Sequence, residues 1–277
     1  MAKCIDCNKK GLFLRVNKNG LCAECELKRC EQERLKAEAE ELERKKRRKA
    51  FLKRQRETAL EELNNVPNYT IVVSNEKRNR QTGYEDVKTS NITPKGKYNE
   101  FVVLDTETTG LTPSRDRIIE LAAIRFVDGM PVEKFETLIN PEKEIPQEVT
   151  KINHIDNDMV KDFPRISEVL PSFEEFVGNC PVIAHNLEFD LKFLYYSGCS
   201  FFEEKRKFYD TLEQAQKLLR KANSRHEAEE EYDVENYKLA TLCEYFNITI
   251  PCKHRAAADA IATGKLFLAL VEEKQSR

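Results

Sequence analysis

The chain has 277 residues, enough for one large domain or two with a sizeable core. It is 40% hydrophobic and 34% charged, with a formal net charge of −2, and no apolar run approaches the roughly 18 residues of a membrane span, which excludes a membrane-spanning helix. The opening MAKCIDC lacks an apolar signal core, so the expected location is cytoplasmic, and nine cysteines, an odd number, read as metal ligands or buried thiols rather than a full disulfide set.

In chain order, residues 1–25 carry Cys4 and Cys7, then Cys22 and Cys25, each pair with two residues between. Such a turn lets two thiolates reach one ion, and two turns complete a tetrahedral shell. Asn19-Gly20 is a favoured hairpin turn between them. The arrangement resembles a treble-clef zinc finger with one structural Zn²⁺; the alternative is four reduced cysteines in a loose tail. Residues 26–65 are dense in Glu, Lys, Arg, Leu and Ala and predict one long charged helix, without the sustained heptad of a coiled coil. Within it, RKKRRKAFLKRQR (44–56) holds nine cations and no acid. That run suits nucleic-acid phosphates, or else a solvated helix balanced by the preceding EAEELE. Residues 66–99 read as a linker with one strand-like piece, YTIVV.

From residue 100 to 277 the texture becomes α/β. Strands are expected at about 101–106, 117–127, 132–139 and 181–184. Helices are expected at about 166–178, 187–197, 211–221, 238–246 and 255–273. This pattern predicts a mixed sheet flanked by helices. The stretch 225–236, RHEAEEEYDVEN, reads as an acidic surface loop.

Chemistry concentrates in three places. In VVLDTETTGL, Asp105 and Glu107 end a buried strand two residues apart, so both project from one face. Burying two unpaired anions costs on the order of several kcal/mol each, and shared divalent cations relieve the repulsion. Asp190 lies in HNLEFDLKFL at a strand-to-helix junction. Asp259 opens an Ala-rich helix in HRAAADA. His254, five residues earlier, is expected on a loop beside the acids, where an imidazole can accept a proton from water.

DTETTG, HNLEFD and HRAAAD together resemble the three motifs of the DEDDh 3′–5′ exonucleases, which include the proofreading epsilon subunit of bacterial DNA polymerase III. The resemblance covers about residues 100–272. It implies a ribonuclease-H-like fold, here preceded by the zinc module and the charged helix. It also implies two Mg²⁺ or Mn²⁺ held by Asp105, Glu107, Asp190 and Asp259, with His254 as general base. Thr106, Thr109, Gly110 and Leu111 would underlie the terminal nucleotide, Leu111 as a wedge, with Asn186 and Phe189 shaping the same pocket. Glu188 is expected on the helix surface, outside the metal set. The implied activity is release of nucleoside 5′-monophosphates from DNA 3′ ends, in replication, repair or proofreading in trans. RNA as substrate and a non-catalytic nucleic-acid adaptor are the rival readings. A protein partner or a dimer contact through residues 1–65 stands beside nucleic acid as a partner expectation.

Overall fold

In the computed structural model the described residues are 2–3, 5–11, 15, 17–74, 87–93, 96, 98–200, 202, 206–221 and 232–277. Among them no helix is long and apolar enough to cross a membrane. The chain divides into two compact units, Met1–Arg54 and Gln55–Arg277.

In the first unit, β1 (Ala2–Lys3) pairs antiparallel with β2 (Lys10–Gly11). The turn expected at Asn19-Gly20 forms, with Gly20 at φ +74° and its N–H donating to the Asn17 carbonyl at 2.9 Å. Residues 12–14 and 16, on the N-terminal side of that turn, lie outside the described residues, as does Cys4. Among the described residues, the apolar cluster of this unit is Leu21, Cys22 and Cys25. Helix α1 (Ala23–Asn65) follows, its residues up to Arg54 in this unit and the rest in the second, with an exposed surface laced by pairs such as Glu24–Lys28 and Glu41–Lys45. Residues 44–56 are exposed throughout.

In the second unit, a five-stranded mixed sheet has the order β5-β4-β3-β6-β7. Its strands are β3 (Glu100–Thr108), β4 (Ile118–Val127), β5 (Met130–Leu138), β6 (Val182–Ala184) and β7 (Phe208–Asp210). β3 runs antiparallel to β4 and parallel to β6, which is parallel to β7. The helices are α2 (Gln147–Asn153), α3 (Asn157–Val160), α4 (Ile166–Val177), α5 (Leu187–Tyr196), α6 (Thr211–Leu218), α7 (Leu239–Tyr245) and α8 (Ala256–Ser276).

The strand period of two divides the core. Phe101 and Val103 face α8, packing with Phe126, Phe267 and Leu270, whereas Val102 and Leu104 pack with Phe135, Phe173 and Leu191 beneath α4 and α5. Gly264 lets α8 lie directly on β4, since a Cβ there would run into the Phe126 ring.

Two expected segments behave differently. The linker 66–99 is partly laid on the domain, because its apolar residues find core to cover: Val66 and Ile92 are buried, and Tyr69 and Ile71 pack beneath α4. YTIVV forms no strand; Tyr69 N–H bonds the Lys134 carbonyl, and Val72 exchanges two bonds with the Ser172 hydroxyl. Residues 75–86 lie outside the described set, as do 222–231, which include most of the acidic stretch. The end of that stretch is anchored: Val234 is buried and the Asp233 carboxylate accepts the Arg220 N–H at 2.7 Å.

Candidate active site

Asp105 and Glu107 continue the odd-numbered series of β3, so both carboxylates emerge on the α8 side of the sheet. There α8 begins, placing Asp259 in its first turn. His254 sits just before it at φ +58°, exposed, with its N–H donating to Asp259 Oδ2 at 2.9 Å. Ligand atoms of Glu107, His254 and Asp259 all lie within 4.8 Å of one another. Thr106, on the opposite face, donates its hydroxyl to Asp190 Oδ1 at 2.6 Å, which anchors the buried α5 acid to the same strand end.

The electrostatics record the crowding. Burial, then the charges of Asp190, Asp259 and Glu107, hold the Asp105 carboxyl well above the usual carboxylate range. Burial pushes Glu107 up to about 7, against a 3.3 Å hydrogen bond from Asn153 Nδ2 that favours its ionised form. Asp190 is pushed up to about 7 by burial, offset by bonds from Thr106. Asp259 is pushed up to about 6, again by burial and offset by the His254 N–H. Four acids this short of compensation are the donor set expected of hard divalent cations.

The expected substrate residues separate. Leu111 is 83% exposed, an apolar side chain beside the acids in sequence. Gly110 passes so close to Asp116 that a Cβ would strike its carboxylate. Thr109 is buried, and its hydroxyl accepts the Arg117 N–H, so it closes the β3–β4 connection. Asn186, at φ +64°, occupies the N-cap position of α5 without a side-chain cap bond and lines a cavity of about 700 Å³ together with His185, Lys238, Lys253, His254 and Asp259. Phe189 is half-buried against Phe193, with ring centroids 4.9 Å apart. Glu188 is a surface residue, paired with Lys192 at 2.6 Å.

Three participants carry no role assigned from the sequence. Glu120, completely buried, lies directly opposite Glu107 across β3–β4 and holds Arg255 at 2.6 Å. Asp210 accepts N–H bonds from Asn186, Leu187 and Leu212, which ties the start of α5 to that of α6. The capping pattern Asp-x-x-Glu at 210–213 could have disclosed it. His185 is locked between Thr211 Oγ1 (2.9 Å) and the Tyr237 carbonyl (3.0 Å). A carbonyl only accepts, so Nε2 carries the proton and Nδ1 takes the Thr211 hydroxyl. Burial pushes this imidazole down to about 4, leaving it a neutral wall of the cavity.

In the first unit, Sγ atoms of Cys7, Cys22 and Cys25 lie within 4.8 Å of one another, with Cys7 and Cys22 3.8 Å apart.

Residues 102–267 match the exonuclease family model of RNase T type. DNA polymerase III subunit epsilon of Treponema pallidum is 36% identical over 173 residues, 62% of this chain and 76% of that protein. The PolC-type DNA polymerase III of Caldanaerobacter subterraneus subsp. tengcongensis is 39% identical over 177 residues; these are 64% of this chain but 12% of that much longer protein. Among solved structures, an E. coli exonuclease I–single-stranded DNA complex aligns with a TM-score of 0.51 at 20% identity, covering 65% of this chain and 42% of that one. The last is a likeness of fold, that of a ribonuclease-H-like exonuclease. The family match spans the sheet, the four acids and His254, and the chain therefore belongs to the exonuclease family.

Proposed function

We propose that this protein is a metal-dependent 3′–5′ exonuclease acting on DNA, removing nucleoside 5′-monophosphates one at a time. The observation that carries the reading is the meeting of Asp105, Glu107, Asp190 and Asp259 with His254 at one end of the sheet. Divalent cations held by the four acids would stabilise charge developing on the phosphate and make water a better nucleophile. The protein's own residues divide the remaining work. His254, exposed beside Glu107 and Asp259, accepts the proton of the attacking water. Thr106 holds the Asp190 carboxylate in place, and Asn153 does the same for Glu107. Leu111 stands clear of the surface where a terminal base can stack on it. The similarity to DNA polymerase III proteins supports DNA as the substrate, with work in replication or proofreading as the biological setting.

The N-terminal unit is a second binding element in this reading. Cys7, Cys22 and Cys25, with Cys4 as the fourth thiolate by spacing, suit one structural Zn²⁺. Among the described residues the apolar cluster of this unit is only Leu21, Cys22 and Cys25, and a metal would help to hold its turns. The exposed cations of 44–56 would then grip the nucleic-acid backbone.

The test is digestion of matched DNA and RNA oligonucleotides, labelled at the 5′ end, in Mg²⁺, Mn²⁺ or EDTA. A metal-dependent DNA ladder shortening from the 3′ end is the expected result. Faster loss of RNA would reassign the substrate, and no cleavage by folded protein would make the domain a binding module. Metal analysis of the purified protein checks the cysteines: one zinc per chain is expected, and none would remove the finger.

A further inference from the structure

We propose that Glu120 and Arg255 form a latch that places His254, making Glu120 a positioning residue for the reaction; the inference rests on the reading of His254 as the base. Glu120 lies near the start of the largely apolar strand β4 and is completely buried. Both of its oxygens are spent on two consecutive residues. Oε1 accepts from Arg255 Nε at 3.0 Å and Nη2 at 2.6 Å, while Oε2 accepts the backbone N–H of Ala256 at 2.8 Å.

That backbone group is one of the unpaired donors at the start of α8, and Arg255, the cap residue, supplies no side-chain cap of its own. Glu120 therefore caps α8 from β4. Its negative charge is favourable at a helix N-terminus, and Arg255 neutralises what would otherwise be a fifth buried anion beside the acids. Removing either partner would strand the other, so the arrangement is costly unless it accomplishes something an apolar side chain could not.

What it fixes is the entry of α8 relative to the strand carrying Glu107. His254 immediately precedes the latched residues. Its left-handed backbone and its N–H bond to Asp259 close a short loop around them. The latch thereby holds the imidazole in register with the Asp259 carboxylate, which α8 itself positions, and with Glu107, which β3 positions directly across the ladder from Glu120. An imidazole displaced by an ångström loses its line to the attacking water, an error of the size that costs on the order of 100-fold in rate.

The experiment measures single-turnover rates and KM on a labelled single-stranded DNA at saturating Mn²⁺. Glu120→Gln keeps the acceptor for the Ala256 N–H. Arg255→Lys keeps the charge but loses the planar fork. Each is made in the parent and in the His254→Ala background. The expected result is a drop of about 10–100-fold in the parent at nearly unchanged KM, and almost no further drop once His254 is absent. Hydrogen exchange of the metal-free variants is expected to quicken at residues 254–259 and not in the sheet.

Equal losses in both backgrounds would overturn the latch, because the residues would then support the domain generally. A rise in KM alone for Arg255→Lys would also overturn it, making Arg255 a substrate contact. Unchanged exchange at 254–259 would do so without reference to activity. If His254→Ala cleaves at the parent rate, the base assignment fails and the latch with it. If His254→Ala is slow while Glu120→Gln is as fast as the parent, the latch fails alone.

Discussion

Replacing Glu107 with Gln should make the metal-free protein more stable at alkaline pH while destroying its activity. The Glu107 carboxyl is pushed from its ordinary 4.5 to about 7, chiefly by burial, with Glu120, Asp259 and Asp190 adding to the effect. The folded state thus holds a proton that the unfolded chain releases more readily. Stability is lost as pH rises from about 4.5 through 7, and the loss is complete above that. At about 1.4 kcal/mol per pKa unit, the penalty is ~3 kcal/mol at pH 8. Gln is nearly isosteric, carries no charge, and keeps an oxygen for the Asn153 amide.

Scanning calorimetry in EDTA should therefore place the variant above the wild type at pH 8, by roughly 6–12 °C for a domain of this size. The gap should close as pH falls toward 4.5. Saturating Mg²⁺ should reverse the order, since the wild type gains binding free energy that the variant largely forgoes. Equal stabilities in EDTA at pH 8, or a gap indifferent to pH, would refute the claim that this carboxylate sits uncompensated without a cation.

His254→Ala should cut the cleavage rate by about 10²–10⁴-fold with little change in Tm, the side chain being exposed; steady-state kinetics beside calorimetry checks both. Gly264→Ala should destabilise the domain by about 1–3 kcal/mol in urea titration, because the new methyl meets the buried Phe126 ring. Replacing Lys45, Lys46, Arg47 and Arg48 with Ala should weaken DNA binding and make it less sensitive to salt. The slope of log affinity against log salt should shrink by about 0.7–0.9 for each phosphate that is no longer neutralised. An unchanged slope in fluorescence anisotropy would assign that helix to another partner.

How legible each part was in the sequence depended on whether its physics was local. β3 announced itself because Phe101 to Leu104 are apolar on both faces, and the abrupt Asp105 and Glu107 that follow have no place in such a strand without cations. Asp190 and Asp259 were readable because each opens a helix whose own pattern is clear. β7 was missed because three residues carry no periodicity; Phe208–Asp210 is a strand only through its pairing with Val182–Ala184. α2 and α3 are seven and four residues long, too short for an apolar repeat to register. Glu120 carries no motif that sets it apart in the sequence. Its burial depends on Arg255, 135 residues away, and no local rule reaches that far.

The segment before residue 100 also bears on what the exonuclease domain is as an object. Pro67 and Tyr69 exchange backbone hydrogen bonds with Lys134 of β5, the outermost strand on one side. Ser90 bonds the Phe208 carbonyl of β7, the outermost strand on the other. Residues on either side of the undescribed 75–86 thus pair with one position on each margin of the sheet, where unpaired donors and acceptors can invite strands from neighbouring molecules. A domain trimmed to start at residue 100 would keep every acid of its candidate site and yet lose these edge partners, so it is expected to self-associate more than the full chain. The backbone partners at both margins thus come from residues that the family match does not reach.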